Sequence, residues 1–143
     1  MIRSYNKTDL PNLLEVFRRN IPKYFAEHEA DDLEKYLHDH GNTYLVCEKH
    51  GVIVGGAGYT TVTESQTGLV TWIFLDPESS GKGLGKQLVE KCLAELRSRP
   101  QVQTISVNTS QHAYQFFEKF GFKLVLTERN YWADGLHLYR MEM

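Results

Sequence analysis

Between an apolar run ending at Leu75 and an amphipathic stretch beginning near Leu84, the chain reads Ser79-Ser80-Gly81-Lys82-Gly83-Leu84-Gly85-Lys86. Three alternate glycines remove side chains where a ligand must approach the backbone, and Lys82 and Lys86 add cationic reach. A helix starting here presents unpaired N–H groups and about half a positive charge, which is the chemistry of a phosphate or diphosphate site. Spacing separates the phosphate-binding schemes. The dinucleotide fingerprint G-x-G-x-x-G fails, because Lys86 or Leu88 stands where its last glycine belongs. A P-loop fails too, since it needs glycine at Ser80 and Ser or Thr at Gln87. The competing reading of the same glycines is a tight connection that binds nothing.

The elements that would position this turn are legible in the hydrophobic periods. Leu10, Leu13, Leu14 and Phe17 recur at helical spacing, with Thr8 as the expected N-cap, Pro11 in the first turn and Pro22 beyond the end. A second helix is expected from Asp32 to about His40, where Asp31 and Glu34 have capping-box spacing and Gly41 supplies the stop. From Thr43 the period is that of strands: 44–47, a turn at 49–51, then 52–59, a hairpin. After a turn at 65–68, Leu69 to Leu75 is apolar enough for a strand covered on both faces, closed by Pro77. Leu84, Leu88, Cys92 and Leu96 share a helical stripe that Pro100 ends. Val102 to Asn108 is a strand, and the helix between it and Leu75 implies parallel pairing. Ser110 is the expected cap of a short helix carrying Ala113, Phe116, Phe117 and Phe120, stopped by Gly121. Strands near 122–127 and 136–143 flank an aromatic loop, and the whole reads as a mixed α/β sheet in one domain over residues 1–143.

Composition narrows the function classes. The chain has 143 residues, 16 Lys plus Arg against 18 Asp plus Glu, and a net charge of −2. That balance, with no basic block, leaves no nucleic-acid footprint. A mean hydropathy of −0.42 and the absence of any run near 20 apolar residues argue against a membrane span. Cys47 and Cys92 have no metal-site or disulfide-framework spacing, and Met1 to Tyr5 lack the cationic and apolar regions of a secretion signal. The expectation is a cytoplasmic protein of small-molecule chemistry without a metal.

Ser80-Gly81-Lys82-Gly83-Leu84-Gly85 resembles the acyl-CoA diphosphate loop of the GNAT superfamily of N-acyltransferases: Gln or Arg, two residues, Gly, any residue, then Gly or Ala. It departs at the first position, where Ser80 replaces Gln or Arg. Leu75-Asp76-Pro77-Glu78 resembles the end of that family's central strand, and Ala113 to Phe122 its terminal helix and following strand. Ile2-Arg3 followed by a helix near Asp9-Leu10 is similar as well, so the resemblance covers nearly the full chain. It implies a GNAT-like fold, a strongly bent central mixed sheet with about four helices.

The resemblance further implies acetyl transfer from acetyl-CoA to a primary amine in a ternary complex, the amine more readily that of a small molecule than of a protein. A bulged central strand would offer the thioester carbonyl a backbone N–H at Leu75, with Phe74 beside it. Pantetheine would lie between the strands ending at Leu75 and Asn108. The cofactor contacts carried over are Phe74, Leu75, Ser80, Gly81, Lys82, Gly83, Leu84, Gly85, Lys86, Asn108, Ser110, Ala113 and Phe117. Phe117 stands where many members place a tyrosine hydroxyl near the thiolate, so Tyr114, three residues earlier, is the alternative acid. A thiol with a pKa of roughly 8.5 could also leave unprotonated. No acid occupies the central strand; Glu64, His112 and His137 could act through water, and each also reads as a solvated surface group. Cys92, on the apolar stripe, reads as a buried hydrophobe rather than a nucleophile. Tyr24, Phe25, Tyr131, Trp132 and His137 could line an acceptor pocket or simply pack. Members of the family often pair through late strands, which makes a homodimer a further expectation. Two other functions compete: an acyl-CoA-binding module without turnover, favoured by Phe117, and a nucleotide-binding domain, favoured only by the glycines and lysines.

Overall fold

Seven strands and four α-helices form among the residues described by a computed structural model of the chain, 1–79 and 81–143. The strands are β1 (Ile2–Ser4), β2 (Tyr44–Lys49), β3 (Val52–Val62), β4 (Thr67–Leu75), β5 (Thr104–Thr109), β6 (Lys123–Ala133) and β7 (Leu136–Glu142). The helices are α1 (Leu10–Arg18), α2 (Glu29–His40), α3 (Leu84–Arg97) and α4 (Tyr114–Glu118). One sheet holds every strand in the order β1-β2-β3-β4-β5-β7-β6, and only β4 and β5 run parallel. That parallel pair is joined through α3, as a crossover connection requires.

β4 is the shared wall of two cores. Val70 is buried with Leu88, Val89, Cys92, Leu93 and Leu96 of α3, whereas Phe74 is buried with Leu13, Leu14 and Phe17 of α1 and Leu33 and Leu37 of α2. The apolar run in β4 therefore serves both faces, as its composition implies.

Several local expectations are corrected. Asn6, not Thr8, caps the first helical turn: its side chain accepts the Thr8 N–H, and Asp9 reciprocates by accepting the Asn6 N–H at 2.8 Å. Asp9 can turn back because Arg3 grips both its carboxylate oxygens, at 2.8 and 2.9 Å, and holds that carboxyl below its ordinary pKa. The helix α2 begins at Glu29, a turn earlier than Asp32, because burial of Ala30 extends the apolar face back from Leu33 and Leu37. Asp31 and Glu34 consequently lie inside the helix, and Gly41 is right-handed and starts a 3-10 turn rather than a stop. Ser110 is not the cap of α4. Ala113 holds that position, and the Ser110 hydroxyl accepts the His112 N–H in the preceding turn. The aromatic loop is mostly strand, since β6 continues through Tyr131 and Trp132 to Ala133. No helix among the described residues is long and apolar enough to cross a membrane.

Candidate active site

The site grows from an irregularity in β4. Gly58 pairs with Thr71, but Gly56 pairs with Phe74, so β4 carries one residue more than β3 between those points. Trp72 sits in that insertion with φ of 46°, left-handed for a bulky side chain, at a cost of about 1–3 kcal/mol. Two hydroxyls flank it. Tyr36 of α2 shares a hydrogen bond with Thr71 Oγ1 at 2.7 Å, and Tyr44 of β2 donates to the Trp72 carbonyl at 2.7 Å.

Beyond the insertion, the Asp76 N–H donates to the Val54 carbonyl at 2.7 Å. Gly55 and Leu75 then form the widely spaced pair of the antiparallel ladder, whose own backbone groups face away from the partner strand. Leu75 thus turns its N–H and C=O toward β5. Pairing with β5 stops at Val70 and Val107, so the two parallel strands splay apart before reaching Leu75. The Leu75 carbonyl is taken by Asn20 Nδ2 at 2.9 Å, a buried side chain at the end of α1. Its N–H is directed into the opening. Phe74 is oriented the other way: its ladder position turns the backbone to Gly56, and its ring packs on Phe17 and Phe25.

The glycine turn lies beside this opening. Gly81 and Gly83 are left-handed at φ of 81° and 79°, and among the described residues a Cβ at either would meet nothing within 4 Å, so the space beside both backbone positions is open. Gly83 is the N-cap of α3 and has no side chain to satisfy the first N–H groups, those of Leu84, Gly85 and Lys86; Gln87 is the residue that bonds back to the Gly83 carbonyl. Among the described residues no side chain caps these N–H groups, and their partial positive charge fits a diphosphate. Lys82 and Lys86 are exposed beside them. Ser80 lies outside the described residues. Gly85 is buried, and a Cβ there would come 3.3 Å from both Leu75 Cδ1 and Phe116 Cζ, which places the end of β4 and α4 each against the start of α3.

Lys49, the last residue of β2, adds a group the sequence reading missed. It lies against Lys82, whose ammonium holds the Lys49 amine below the ordinary lysine range. An anion between them restores that proton. Acetyl-CoA binding is therefore expected to take up protons at alkaline pH, where Lys49 has begun to titrate, and to weaken as pH rises through that range; calorimetry in buffers of different ionisation enthalpy reads the uptake, and Lys49→Met removes it.

On the other side of the opening, Phe117 is 2% exposed and packs edge-on against Phe116 and Phe122. Tyr114 is half-buried, with its ring 4.9 Å from that of Tyr139. Asn108 is exposed and accepts from Arg140 Nε at 3.0 Å. Ala113 is half-buried at the start of α4. His112 follows the end of β5 and meets Tyr24 of the α1–α2 connection edge-on, 6.4 Å between centroids. His137 Nδ1 is engaged by the Asn130 N–H at 2.9 Å. Glu64 is not brought to the site: it lies in the turn before Thr67, the length of β4 from Leu75, about 26 Å at 3.3 Å per residue. Trp72 stacks on Phe25 and leans on Tyr36, forming an aromatic wall on the α1–α2 side. Cys92 is fully buried, and burial pushes its thiol up to about 12, which leaves it protonated and without nucleophilic character. Among the described residues no three His, Cys, Asp or Glu side chains are grouped to hold a metal ion.

The fold and the sequence have counterparts. An uncharacterised N-acetyltransferase of Methanocaldococcus jannaschii is 27% identical over 135 residues, covering 85% of this chain; the chain spans 60% of that curated relative's length. The structure of a ribosomal-protein-alanine N-acetyltransferase from Brucella melitensis superposes with a TM-score of 0.80 at 19% identity, covering 100% of this chain and 98% of the other. An aminoglycoside 6′-N-acetyltransferase complexed with coenzyme A gives 0.78 at 16% identity, covering 100% and 96%. These likenesses in structure establish the fold. The sequence profile of the acetyltransferase (GNAT) domain matches residues 12–143, and the chain belongs to that family.

Proposed function

We propose that this chain transfers an acetyl group from acetyl-CoA to the primary amine of a small molecule within a ternary complex, as one catalytic unit over residues 1–143. The observation that carries the reading is the Leu75 amide facing a gap where the pairing of the parallel strands has ended, with a helix N-terminus capped by glycine beside it. The α3 N-terminus and Lys82, Lys86 and Lys49 hold the diphosphate end of the carrier. The Leu75 N–H donates to the thioester oxygen, and that bond strengthens as negative charge develops there. A neutral amine attacks the carbonyl carbon; the C–N bond forms, the C–S bond breaks, and one amine proton ends on the departing sulfur. Tyr114 is the hydroxyl that α4 offers for that last step. The aromatic wall of Trp72, Phe25 and Tyr36 supports a compact acceptor with an apolar body. A second copy pairs along β6, whose Leu124, Val125 and Leu126 are all exposed at the edge of the sheet.

The test is release of free thiol from acetyl-CoA over a broad amine panel, preceded by a thermal-shift screen of the amines with CoA bound. Thiol release that depends on added amine is the expected result. Stabilisation by acetyl-CoA without release would leave a binding module, and stabilisation by ATP but not CoA would overturn the reading altogether. Tyr114→Phe is expected to lower kcat by roughly 10²-fold with little change in KM for acetyl-CoA. Phe117→Tyr, which restores a hydroxyl at the family's position, raises kcat if thiolate protonation limits turnover.

A further inference from the structure

We propose that Tyr44 is a positioning residue for acyl transfer, holding the inserted residue of β4 so that the Leu75 amide stays aimed into the splay. The inference rests on the acyl-transfer reading and deepens it. Tyr44 touches no substrate: it starts β2 and is 0% exposed. Its ring passes across β3 under Gly56 and Gly58, where a Cβ would come within 2.6 and 2.7 Å of ring carbons. The intervening strand has given up two side chains along the path of this ring, which then spends its hydroxyl on the Trp72 carbonyl, two strands from its own.

The register explains what that bond governs. With the insertion, Leu75 stands opposite Gly55 and its N–H points outward. Without it, the pairing of Gly58 with Thr71 would continue so that Leu75 stood opposite Val54, the residue whose carbonyl bonds toward β4. The Leu75 N–H would then be consumed inside the sheet. A one-residue slip exchanges the roles of alternate residues, so the amide's orientation depends on keeping Trp72 in its left-handed conformation. Burial keeps the Tyr44 hydroxyl protonated far above the usual tyrosine range, so it is a donor at every working pH.

The experiment compares affinities for acetyl-CoA and for CoA, which lacks the thioester oxygen, in the unsubstituted protein and in Tyr44→Phe, with kcat read in parallel. The unsubstituted protein is expected to prefer acetyl-CoA by about 5- to 10-fold, the span of one hydrogen bond. Tyr44→Phe keeps its CoA affinity within about twofold, loses that preference, and loses kcat by roughly 10²-fold. In the same background Trp72→Gly restores the preference, because glycine takes a left-handed φ without strain. An unchanged preference in Tyr44→Phe, equal losses for both ligands, or a preference that Trp72→Gly does not restore would each overturn the proposal. Failure of the broader reading has a different signature: the unsubstituted protein binds neither ligand, or binds both equally. Where Tyr44→Phe does not fold, Trp72→Val is read in its place: a β-branched residue resists the left-handed φ of 46°, so this variant is expected to keep its CoA affinity and lose the preference, and an unchanged preference overturns the proposal.

Discussion

Gly83→Asp is expected to raise the dissociation constant for acetyl-CoA by roughly 10³-fold, while Gly83→Asn raises it far less. Both side chains tolerate the left-handed backbone better than other residues, so the two variants share the strain of φ at 79° and differ in charge alone. A carboxylate about 4 Å from a diphosphate oxygen costs about 4 kcal/mol at an effective dielectric of 20. That is nearly three decades in affinity. The open space around the Gly83 Cβ means neither variant clashes with the protein, so both should unfold at nearly the same temperature. Glu95→Gln, on the exposed face of α3, is the silent control. Equal affinities for the aspartate and asparagine variants would place the diphosphate elsewhere.

Gly56→Ala is expected to destabilise the fold strongly. Its Cβ would lie 2.6 Å from Tyr44 Cε2 and 2.7 Å from the Leu45 carbonyl, and the latter is backbone that cannot rotate aside. Overpacking of this kind costs about 1–3 kcal/mol, and expelling the Tyr44 hydroxyl leaves the Trp72 carbonyl without its donor, so about 3 kcal/mol is the expected total. Calorimetry should show the melting temperature falling by roughly 10 °C. A shift below about 2 °C would mean that β2 and β3 separate easily at this point, contrary to the packing described.

The helical faces were legible because each is a local period: Leu13, Leu14 and Phe17, or Leu88, Cys92 and Leu96, announce their burial by spacing alone. The glycine turn was legible for the same reason, as a contiguous motif whose chemistry belongs to the backbone. The insertion at Trp72 was invisible to period counting. Thr71 to Leu75 is almost uniformly apolar, and a one-residue slip leaves no trace in a run where both faces are covered. Gly56 and Gly58 read as ordinary glycines in a hairpin until Tyr44 is seen beneath them, a contact made across a neighbouring strand. The early start of α2, the Asn6 cap and the three-residue β1 depend likewise on partners distant in the chain, such as Arg3 reaching both Asp9 and Glu48. Lys49 carried no signal, being one lysine among many until the hairpin brings it to Lys82.

In the proposed mechanism the oxyanion donor belongs to the peptide bond of Leu75 and has no side chain to lose. Exchange of that leucine for other non-proline residues preserves the N–H, so mutational drift along β4 can reshape the neighbouring walls and the choice of acceptor without erasing the reactive group. Proline is the single replacement that deletes it outright. A saturation library at position 75 should therefore tolerate much of the amino-acid alphabet for turnover and exclude proline, the opposite of the all-or-nothing profile expected where a side chain does the chemistry.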